Sequence, residues 1–351
     1  SSGPPKGNQC GTVMGMAAYA KEPTKYLDEM VSLMRAGDMT QFSKWSDLPF
    51  DEKLNVAAAL QNATEIYVEE LLRPYAIASK STNMCLAGGV ALNSVMTGNM
   101  FDWYDGKFKN IYVCPVPYDA GLAIGCSQYI WHCVEDNPRV YTNKNFTPYL
   151  GKTYPLSAVE EAIKENSDRV SYEKVTDDDV LKKLKEKNII AVFGGGSESG
   201  RRALGNRSIL ADPSHDDMRD VLNQKVKHRD WFRPFAPSII REKVSEWFVR
   251  DLSAPYMGFV INFREDQKDR VPAVLHADAS GRLQTVTAED NPWYHGFISR
   301  WEELYGIPIV LNTSFNDREP IVETPTHAMN CFLKTNIDYL YFYDHGILVK
   351  K

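Results

Sequence analysis

The chain has 351 residues, of which 43% are hydrophobic and 25% are charged, and its formal net charge is -6 at pH 7. At about 150 residues per domain, this length predicts roughly two domains and excludes a peptide or a small disulfide-stapled module. The negative charge gives no general attraction to a phosphate backbone, so we expect no nucleic-acid partner and only local anion sites.

Cysteine usage and hydropathy indicate a cytoplasmic protein. The six cysteines form no C-x-x-C pair and have no nearby histidine at zinc-binding spacing, and five stand in apolar surroundings. This pattern is typical of reduced core thiols. No apolar run approaches the ~18 residues of a membrane span, so no membrane association is predicted. Residues 1–8 (SSGPPKGN) resemble a linker, a cloning remnant or a cut end.

Apolar residues at helical spacing predict two amphipathic helices near the start of the chain, over 23–36 and 50–79. Short strands and helices then alternate, which indicates parallel β/α layers. The elements predicted next are a strand at 83–87, a Gly-Gly turn, a helix from 91, a strand at 111–113 and an apolar helix over 120–133.

The segment 135–149 is polar, carries two prolines and three asparagines, and lacks both the helical and the strand period. We therefore place a linker there and predict domains at 1–146 and 147–351. The elements predicted in the second domain are helices over 156–164 and 177–187, strands at 189–193, 257–263, 307–311 and 339–343, and a helix that begins at Thr324-Pro325.

Two short motifs of the first domain each lie between a predicted strand and a predicted helix. Gly88 and Gly89 would let the backbone approach a phosphate or a sugar hydroxyl at a helix N-terminus, and a plain tight turn fits equally well. Asp119 is placed to bind a hydrated metal ion or a ribose, and a simple helix N-cap is its alternative.

The segment 201–233 holds eight basic and five acidic residues, although the whole chain is negative. Aromatic residues and prolines interleave with these charges, so several side chains are held partly out of water. Fixed arginine forks of this kind bind a polyphosphate or a carboxylate. The candidates for such a site are Arg202, Arg207, Lys227, Arg229 and Arg233, whereas Arg219 and Arg241 are interpreted as solvated surface charges.

Two further polar features come late in the chain. The run from Asn312 to Asn316 follows an apolar strand, so it predicts either a polar binding site or an Asx turn. His276 is a candidate acid or base, or a structural hydrogen-bonding residue. The chain contains no P-loop, no dinucleotide-binding fingerprint, no nucleophile elbow and no H-E-x-x-H motif.

These motifs resemble, in the same order along almost the whole chain, those of the O-carbamoyltransferases of nodulation and antibiotic tailoring. The matching segments are 13–19 (VMGMAAY), 87–93 (AGGVALN), 117–121 (PYDAG), 202–212 (RALGNRSILAD), 226–229 (VKHR), 232–237 (FRPFAP), 311–316 (LNTSFN) and 319–322 (EPIV). The resemblance implies an α/β fold in which the C-terminal half of an actin-like (ASKHA) domain is followed by a YrdC-like α/β domain.

The resemblance also implies an ATP-dependent carbamoyltransferase. In the family, the YrdC-like domain takes carbamoyl phosphate and ATP and makes carbamoyl adenylate. The actin-like domain then passes the carbamoyl group to an acceptor hydroxyl, on a small molecule or a nucleoside, beside a divalent metal ion (Mg or Fe).

Site residues are carried over by position. The implied catalytic residues are Arg202, Asn206, Arg207, Lys227, Arg229 and Arg233. The residues implied to contact carbamoyl phosphate and ATP are Gly200, Ser208, His276, Asn312, Thr313, Ser314 and Asn316. Those implied to hold the adenylate are Gly88, Gly89, Val90 and Asn93, and the implied metal ligand is Asp119.

The front of the chain departs from the family, whose members carry an H-x-x-x-H metal pair upstream of the 13–19 motif. None of the seven histidines here forms such a pair. The chain is then a fragment, or a partner chain supplies the missing half, or the transfer site has been lost. Two alternative functions stay open: a threonylcarbamoyl-type enzyme acting on tRNA, and a non-catalytic nucleotide-binding subunit.

Overall fold

The computed structural model of the protein describes residues 10–141 and 144–351. The linker or cut end predicted at residues 1–8 lies outside these ranges. Within them, no helix combines the length and the apolar character that crossing a bilayer requires.

Three helices open the described chain: α1 (Cys10–Ala17), α2 (Leu27–Ala36) and α3 (Phe50–Ala78). The second and third confirm the two amphipathic helices predicted from apolar spacing. Met30 and Met34 of α2 and Trp45 of the following turn pack on the alanine-rich face of α3, around Ala59 and Ala63. Small side chains on α3 let the two helices approach closely and bury this cluster.

A two-stranded parallel sheet follows, formed by β1 (Asn83–Leu86) and β2 (Asn110–Val113). The elements around it are α4 (Ser94–Asn99), the short α5 (Trp103–Gly106) and α6 (Leu122–Tyr129), which continues as a π-helical turn over Ile130–Val134. Residues 122–134, called the exposed helix below, confirm the predicted helix. None of them is buried, and Leu122 and Trp131 are 68% and 54% exposed.

The larger part of the chain is built on a nine-stranded sheet whose spatial order is β3-β11-β10-β4-β5-β9-β6-β8-β7. Its strands are β3 (Ser171–Lys174), β4 (Ile190–Phe193), β5 (Arg207–Ala211), β6 (Ala236–Ile240), β7 (Phe259–Asn262), β8 (Ser280–Val286), β9 (Ile309–Ser314), β10 (Tyr339–Phe342) and β11 (Ile347–Lys350).

The parallel layers predicted from residues 83–133 are confirmed by β1 and β2, which run parallel, whereas the large sheet is mixed. Strand β4 runs parallel to β10, and β6 runs parallel to β8, whereas the other neighbouring pairs are antiparallel. The reason lies in the connections: β10 and β11 form a hairpin, and the loop 194–206 returns the chain from β4 to an antiparallel β5 without a helix. Antiparallel neighbours need no helical crossover.

Helices cover both faces of the large sheet. They are α7 (Leu156–Lys164), α8 (Asp177–Lys185), α9 (Met218–Lys225), α10 (Val244–Trp247), α11 (Pro292–Tyr305) and α12 (Pro325–Lys334). Trp301 and Ile298 of α11 form one core with α8, and Phe332 of α12 belongs to the core on the other side. Helices α7, α8 and α12 and strands β4, β7, β9 and β10 confirm predicted elements.

The small sheet packs against the large one. The rings of Phe101 and Phe259 lie 5.2 Å apart between centroids, and the Thr97 hydroxyl donates a hydrogen bond to the Gly258 carbonyl. The domain boundary predicted near 135–149 stays a prediction. The core position predicted for the cysteines is wrong for most of the six: Cys331 is buried, Cys114 is half-buried and the other four are exposed. Of these four, Cys10 begins α1, Cys85 lies on β1, and Cys126 and Cys133 lie on the exposed helix.

Gly98 tests the packing of α4 on β7. A Cβ atom at this position would overlap the carbonyl oxygen of Val260, whereas a Cβ at Gly296, in the exposed face of α11, would meet nothing within 4 Å. We expect Gly98→Ala to destabilise the protein by about 1–3 kcal/mol through overpacking. Gly296→Ala should be neutral or stabilise the protein by up to ~1 kcal/mol. Thermal unfolding of both variants is the measurement, and equal Tm values would contradict this packing.

Candidate functional site

Five basic side chains from four segments of the chain converge beside the large sheet. We call Arg202, Lys227, Arg229, His276 and Arg282 the basic cluster. Arg202 lies on the loop between β4 and β5, Lys227 and Arg229 follow α9, His276 precedes β8, and Arg282 lies on β8. Lys227 is buried and the other four are half-buried.

Arg202 and Arg282 show why this cluster is unusual. Burial, together with the charges of Arg202 and Arg229, lowers the pKa of Arg282 well below its ordinary value, and burial lowers the pKa of Arg202 to about 10. Neither guanidinium has an ion pair or a hydrogen bond to a described residue, and the Nε atom of Arg282 is buried without a partner. Arginine stays protonated at neutral pH, so these charges need an anion.

Lys227 is held differently. Its Nζ donates hydrogen bonds to the backbone carbonyl and side-chain oxygens of Ser314 and Asn316, at distances up to 3.3 Å. Burial, with a smaller contribution from the charge of Arg229, lowers the pKa of Lys227 to about 7. The end of β9 and the segment after α9 are therefore joined by one ammonium group that titrates near neutral pH.

The other basic side chains at the site are Arg229, Arg233 and His276. Arg229 donates to the Asn223 side chain and lies over the ring of Phe235 at 4.7 Å, and burial lowers its pKa to about 9. Burial also lowers the pKa of Arg233 next to it. His276 shares a hydrogen bond with Ser280, its Nε2 is buried without a partner, and burial lowers its pKa to about 4. His276 is therefore neutral at pH 7.

A polar layer under the cluster fixes the loop that carries Arg202. Ser238 on β6 donates to Gln284 on β8, and Asn312 on β9 donates to both and to the Ala203 carbonyl. Gln284 in turn donates to the Leu204 carbonyl at 2.9 Å. Side chains on these three strands thus hold the backbone next to Arg202. Asn312 positions the loop through its hydrogen bond to the Ala203 carbonyl.

The side chains of three other predicted site residues are engaged in contacts within the fold. Arg207 is fully buried, stacks on Phe193 and donates to four backbone carbonyl oxygens between residues 152 and 206. Asn206 is bonded to Asn291, Tyr343 and the Gly196 carbonyl. The Ser208 hydroxyl accepts from the Gly205 amide. These contacts hold the 194–206 loop, and a substrate contact by these residues stays a prediction.

Two predicted site residues, Gly200 and Thr313, lie in close contact with neighbouring parts of the backbone. A Cβ atom at Gly200 would clash with the carbonyl oxygen of Pro115, so the 194–206 loop and the 114–119 loop are in close contact there. Thr313 is half-buried on β9, opposite Ile209 of β5. Gly200 lies two residues before Arg202 along the chain, and Thr313 adjoins Ser314, which accepts hydrogen bonds from Lys227.

A second site is a pocket of about 430 Å³ beside the small sheet. Gly88, Tyr118 and Asp119 line it, together with Tyr112 and Leu122. Gly88 has a φ of +92°, which a side chain would strain. The Asp119 carboxylate makes no capping bond and no ion pair in the described part of the chain, so the helix-cap alternative is not what the structure shows.

The other residues predicted for this site do not line the pocket. Gly89 and Val90 begin the turn after Gly88, and Val90 is 59% exposed. The Asn93 side chain caps α4 through the Met96 amide and pairs with Gln61. The described residues also contain no group of three metal-ligating side chains. One carboxylate does not fit a divalent metal centre, which takes several oxygen ligands.

Sequence reasoning missed Arg282 and Gln284 as members of the site. Both lie on one face of β8, in the alternating sequence SGRLQTV. The signal that could have found them is a charged and an amide side chain two residues apart, with a leucine between them. Such polar groups on one face of a strand must be hydrogen-bonded or must face a ligand. The strand itself was not predicted.

Two sequence models of one family match this chain. The Carbamoyltransferase N-terminus matches residues 14–128, and the Carbamoyltransferase C-terminus matches residues 181–351. Nodulation protein NolO of Bradyrhizobium diazoefficiens is 37% identical over 84% of this chain and 54% of its own length. Nodulation protein NolNO of Sinorhizobium fredii is 36% identical over 84% of this chain and 44% of its own length.

An uncharacterised protein of Synechocystis is 38% identical over 82% of this chain and 51% of its own length. The chain thus spans about half the length of the curated relatives it matches. A solved structure of full-length HypF in its phosphate- and nucleotide-bound form aligns with 67% of this chain and 38% of its own, at 13% identity and a TM-score of 0.33.

The basic cluster predicts pH-dependent anion binding. Sulfate keeps its charge across neutral pH, and a bound anion favours the protonated form of Lys227, whose pKa is about 7. We expect sulfate affinity, measured by titration calorimetry, to rise as the pH falls from about 8.5 to about 6. Lys227→Met should remove most of this pH dependence, and Arg282→Gln should weaken binding at every pH. Arg241→Gln, which removes a surface partner of Asp251, is the matched control. A wild-type affinity independent of pH would contradict this assignment.

Proposed function

Because the chain belongs to the carbamoyltransferase family, we propose that the basic cluster binds carbamoyl phosphate and ATP and forms carbamoyl adenylate. The observation that carries this proposal is the set of unpaired basic side chains, above all Arg202 and Arg282. Two highly charged anions repel each other in water, and fixed cations are what allow them to bind side by side. On this proposal the nine-stranded part of the chain is the YrdC-like domain.

The proposed reaction releases phosphate from carbamoyl phosphate and pyrophosphate from ATP. For pyrophosphate to leave ATP, a carbamate oxygen attacks the α-phosphorus, and the bond between that phosphorus and the α,β-bridging oxygen breaks. The carbamate arises when water cleaves carbamoyl phosphate and releases inorganic phosphate. One phosphate and one pyrophosphate are therefore expected for each carbamoyl adenylate formed.

The side chains of the cluster take different parts in this step. The guanidinium groups of Arg202 and Arg282, with Arg229 behind them, stabilise the charge that develops on the phosphoryl oxygens. Lys227 acts on the Ser314 and Asn316 loop that it already binds, and sets where those polar groups meet the substrate. No step requires a proton from His276, which is neutral at pH 7 and can donate or accept one hydrogen bond.

The pocket lined by Gly88 and Asp119 is our proposed site of transfer, in the part of the chain that we assign to an actin-like (ASKHA) domain. There the acceptor hydroxyl oxygen attacks the carbamoyl carbon, the bond from that carbon to the phosphate oxygen breaks, and AMP leaves. Asp119 is the one carboxylate among the described residues that line this pocket, and it is placed to take the hydroxyl proton. We derive no step through a metal ion, because the described ligands do not fit one.

We also propose what covers the exposed helix 122–134. Most of its residues are apolar and none is buried. The parallel β1–β2 pair has two strands in the described chain, whereas parallel sheets are normally covered on both faces. Relatives about twice as long contain an unmatched half. We propose that a polypeptide equivalent to that half packs here. Hydrogen exchange of residues 122–134 should slow when that polypeptide is present, and unchanged exchange would contradict this.

The test of adenylate formation is release of pyrophosphate that depends on carbamoyl phosphate and ATP together. Arg202→Gln and Arg282→Gln should each lower this rate at least ~100-fold, because each removes a charge that the transition state needs. Arg300→Gln, which breaks a surface pair with Asp178, is the matched control and should retain the wild-type rate. Pyrophosphate release without carbamoyl phosphate, or an unchanged rate in both cluster variants, would contradict the proposal.

A further inference from the structure

The loop from β4 to β5 separates the basic cluster from the pocket of Gly88 and Asp119. It touches the 114–119 loop at Gly200, where there is no room for a side chain. The next two residues diverge: Arg202 belongs to the cluster, whereas Arg201 is exposed and its guanidinium carbon lies 4.5 Å from the centre of the Tyr118 ring. Tyr118 itself lines the pocket.

Arg201 has an unusual set of neighbours for a surface arginine. The ring of Tyr118 is its contact, and it forms neither a hydrogen bond nor an ion pair with any residue in 10–141 or 144–351. Its positive charge adds to burial in lowering the pKa of Arg202, so the two guanidinium groups repel each other. All five N–H groups of Arg201 are therefore available to a ligand.

The stacking on Tyr118 fixes the plane of the guanidinium without using its donors. A guanidinium held in this way meets a phosphate with two parallel hydrogen bonds and loses little side-chain entropy on binding. A phosphate placed between Arg201 and Arg202 would also remove the repulsion between them. It would lie where the cluster and the pocket adjoin, so the rest of the ligand could extend into the pocket.

We propose that Arg201 binds the phosphate of a nucleoside monophosphate, free or as an acyl ester, at the boundary between the basic cluster and the Gly88 pocket. This assignment rests on the proposed function, in which carbamoyl adenylate is the ester and AMP is what remains after transfer. Arg201 is then the residue that keeps the activated nucleotide on the protein after pyrophosphate has left. Its role differs from that of Arg282, which lies inside the cluster.

The test uses AMP as the probe and adenosine, which lacks the phosphate, as its uncharged counterpart. Affinities are measured by titration calorimetry on the full chain. Arg201→Ala should weaken AMP binding about tenfold, as expected for loss of a charged hydrogen-bonded contact, and leave adenosine binding unchanged. Arg201→Lys keeps the charge but cannot form two parallel hydrogen bonds to a phosphate. Its AMP affinity should fall between those of the wild type and Arg201→Ala. Arg264→Ala, at another exposed arginine that pairs with Asp266, should match the wild type.

Two further measurements distinguish a failure of the Arg201 assignment from a failure of the proposed function. The thermal unfolding midpoint of Arg201→Ala should equal that of the wild type, which shows that the loop has not collapsed. Pyrophosphate release reports on adenylate formation, so its absence in the wild type would overturn the proposed function while AMP binding still tests Arg201. AMP affinity that is equal in Arg201→Ala and wild type, or an equal loss for adenosine and AMP, would overturn the inference.

Discussion

The whole arrangement depends on like charges held together partly out of water. Burial lowers the pKa values of Arg202, Arg229 and Arg282, and the charges of Arg202 and Arg229 lower that of Arg282 further. No carboxylate of the described chain forms an ion pair with any of the three. Such a cluster destabilises the folded protein unless an anion joins it, because desolvated charge is costly. Proteins retain such unpaired, desolvated charges at functional sites, where the ligand supplies the missing partner.

The rest of the large sheet can be understood as the support for that cluster. Ser238, Gln284 and Asn312 form a hydrogen-bonded layer across three strands and hold the loop backbone beside Arg202. Arg207 holds the same loop from its other end through backbone carbonyls. Lys227 fixes the end of β9 in the same way. The polar groups nearest the ligand site are thus positioned before a ligand arrives, which lowers the cost of binding.

The sequence predicted the elements that have clear periodicity and the basic segment, because those signals are local. Helices α2, α3, α7 and α8 follow their apolar spacing, and Arg202, Lys227 and Arg229 do lie together. Strand β5 was not predicted, because its residues read as part of a flexible basic loop. The separation of Arg207 from Arg202 could not be read from spacing either, since it depends on β5 pairing with β4 and turning one arginine towards backbone carbonyls.

The most direct test of the central claim is to locate an anion in a crystal of this chain. Selenate has the shape and charge of sulfate. Anomalous diffraction at the selenium edge locates the ion directly from the diffraction data. The account predicts a selenate ion within hydrogen-bond distance of both Arg202 and Arg282. Selenate bound only at surface lysines, with none at the basic cluster, would contradict it.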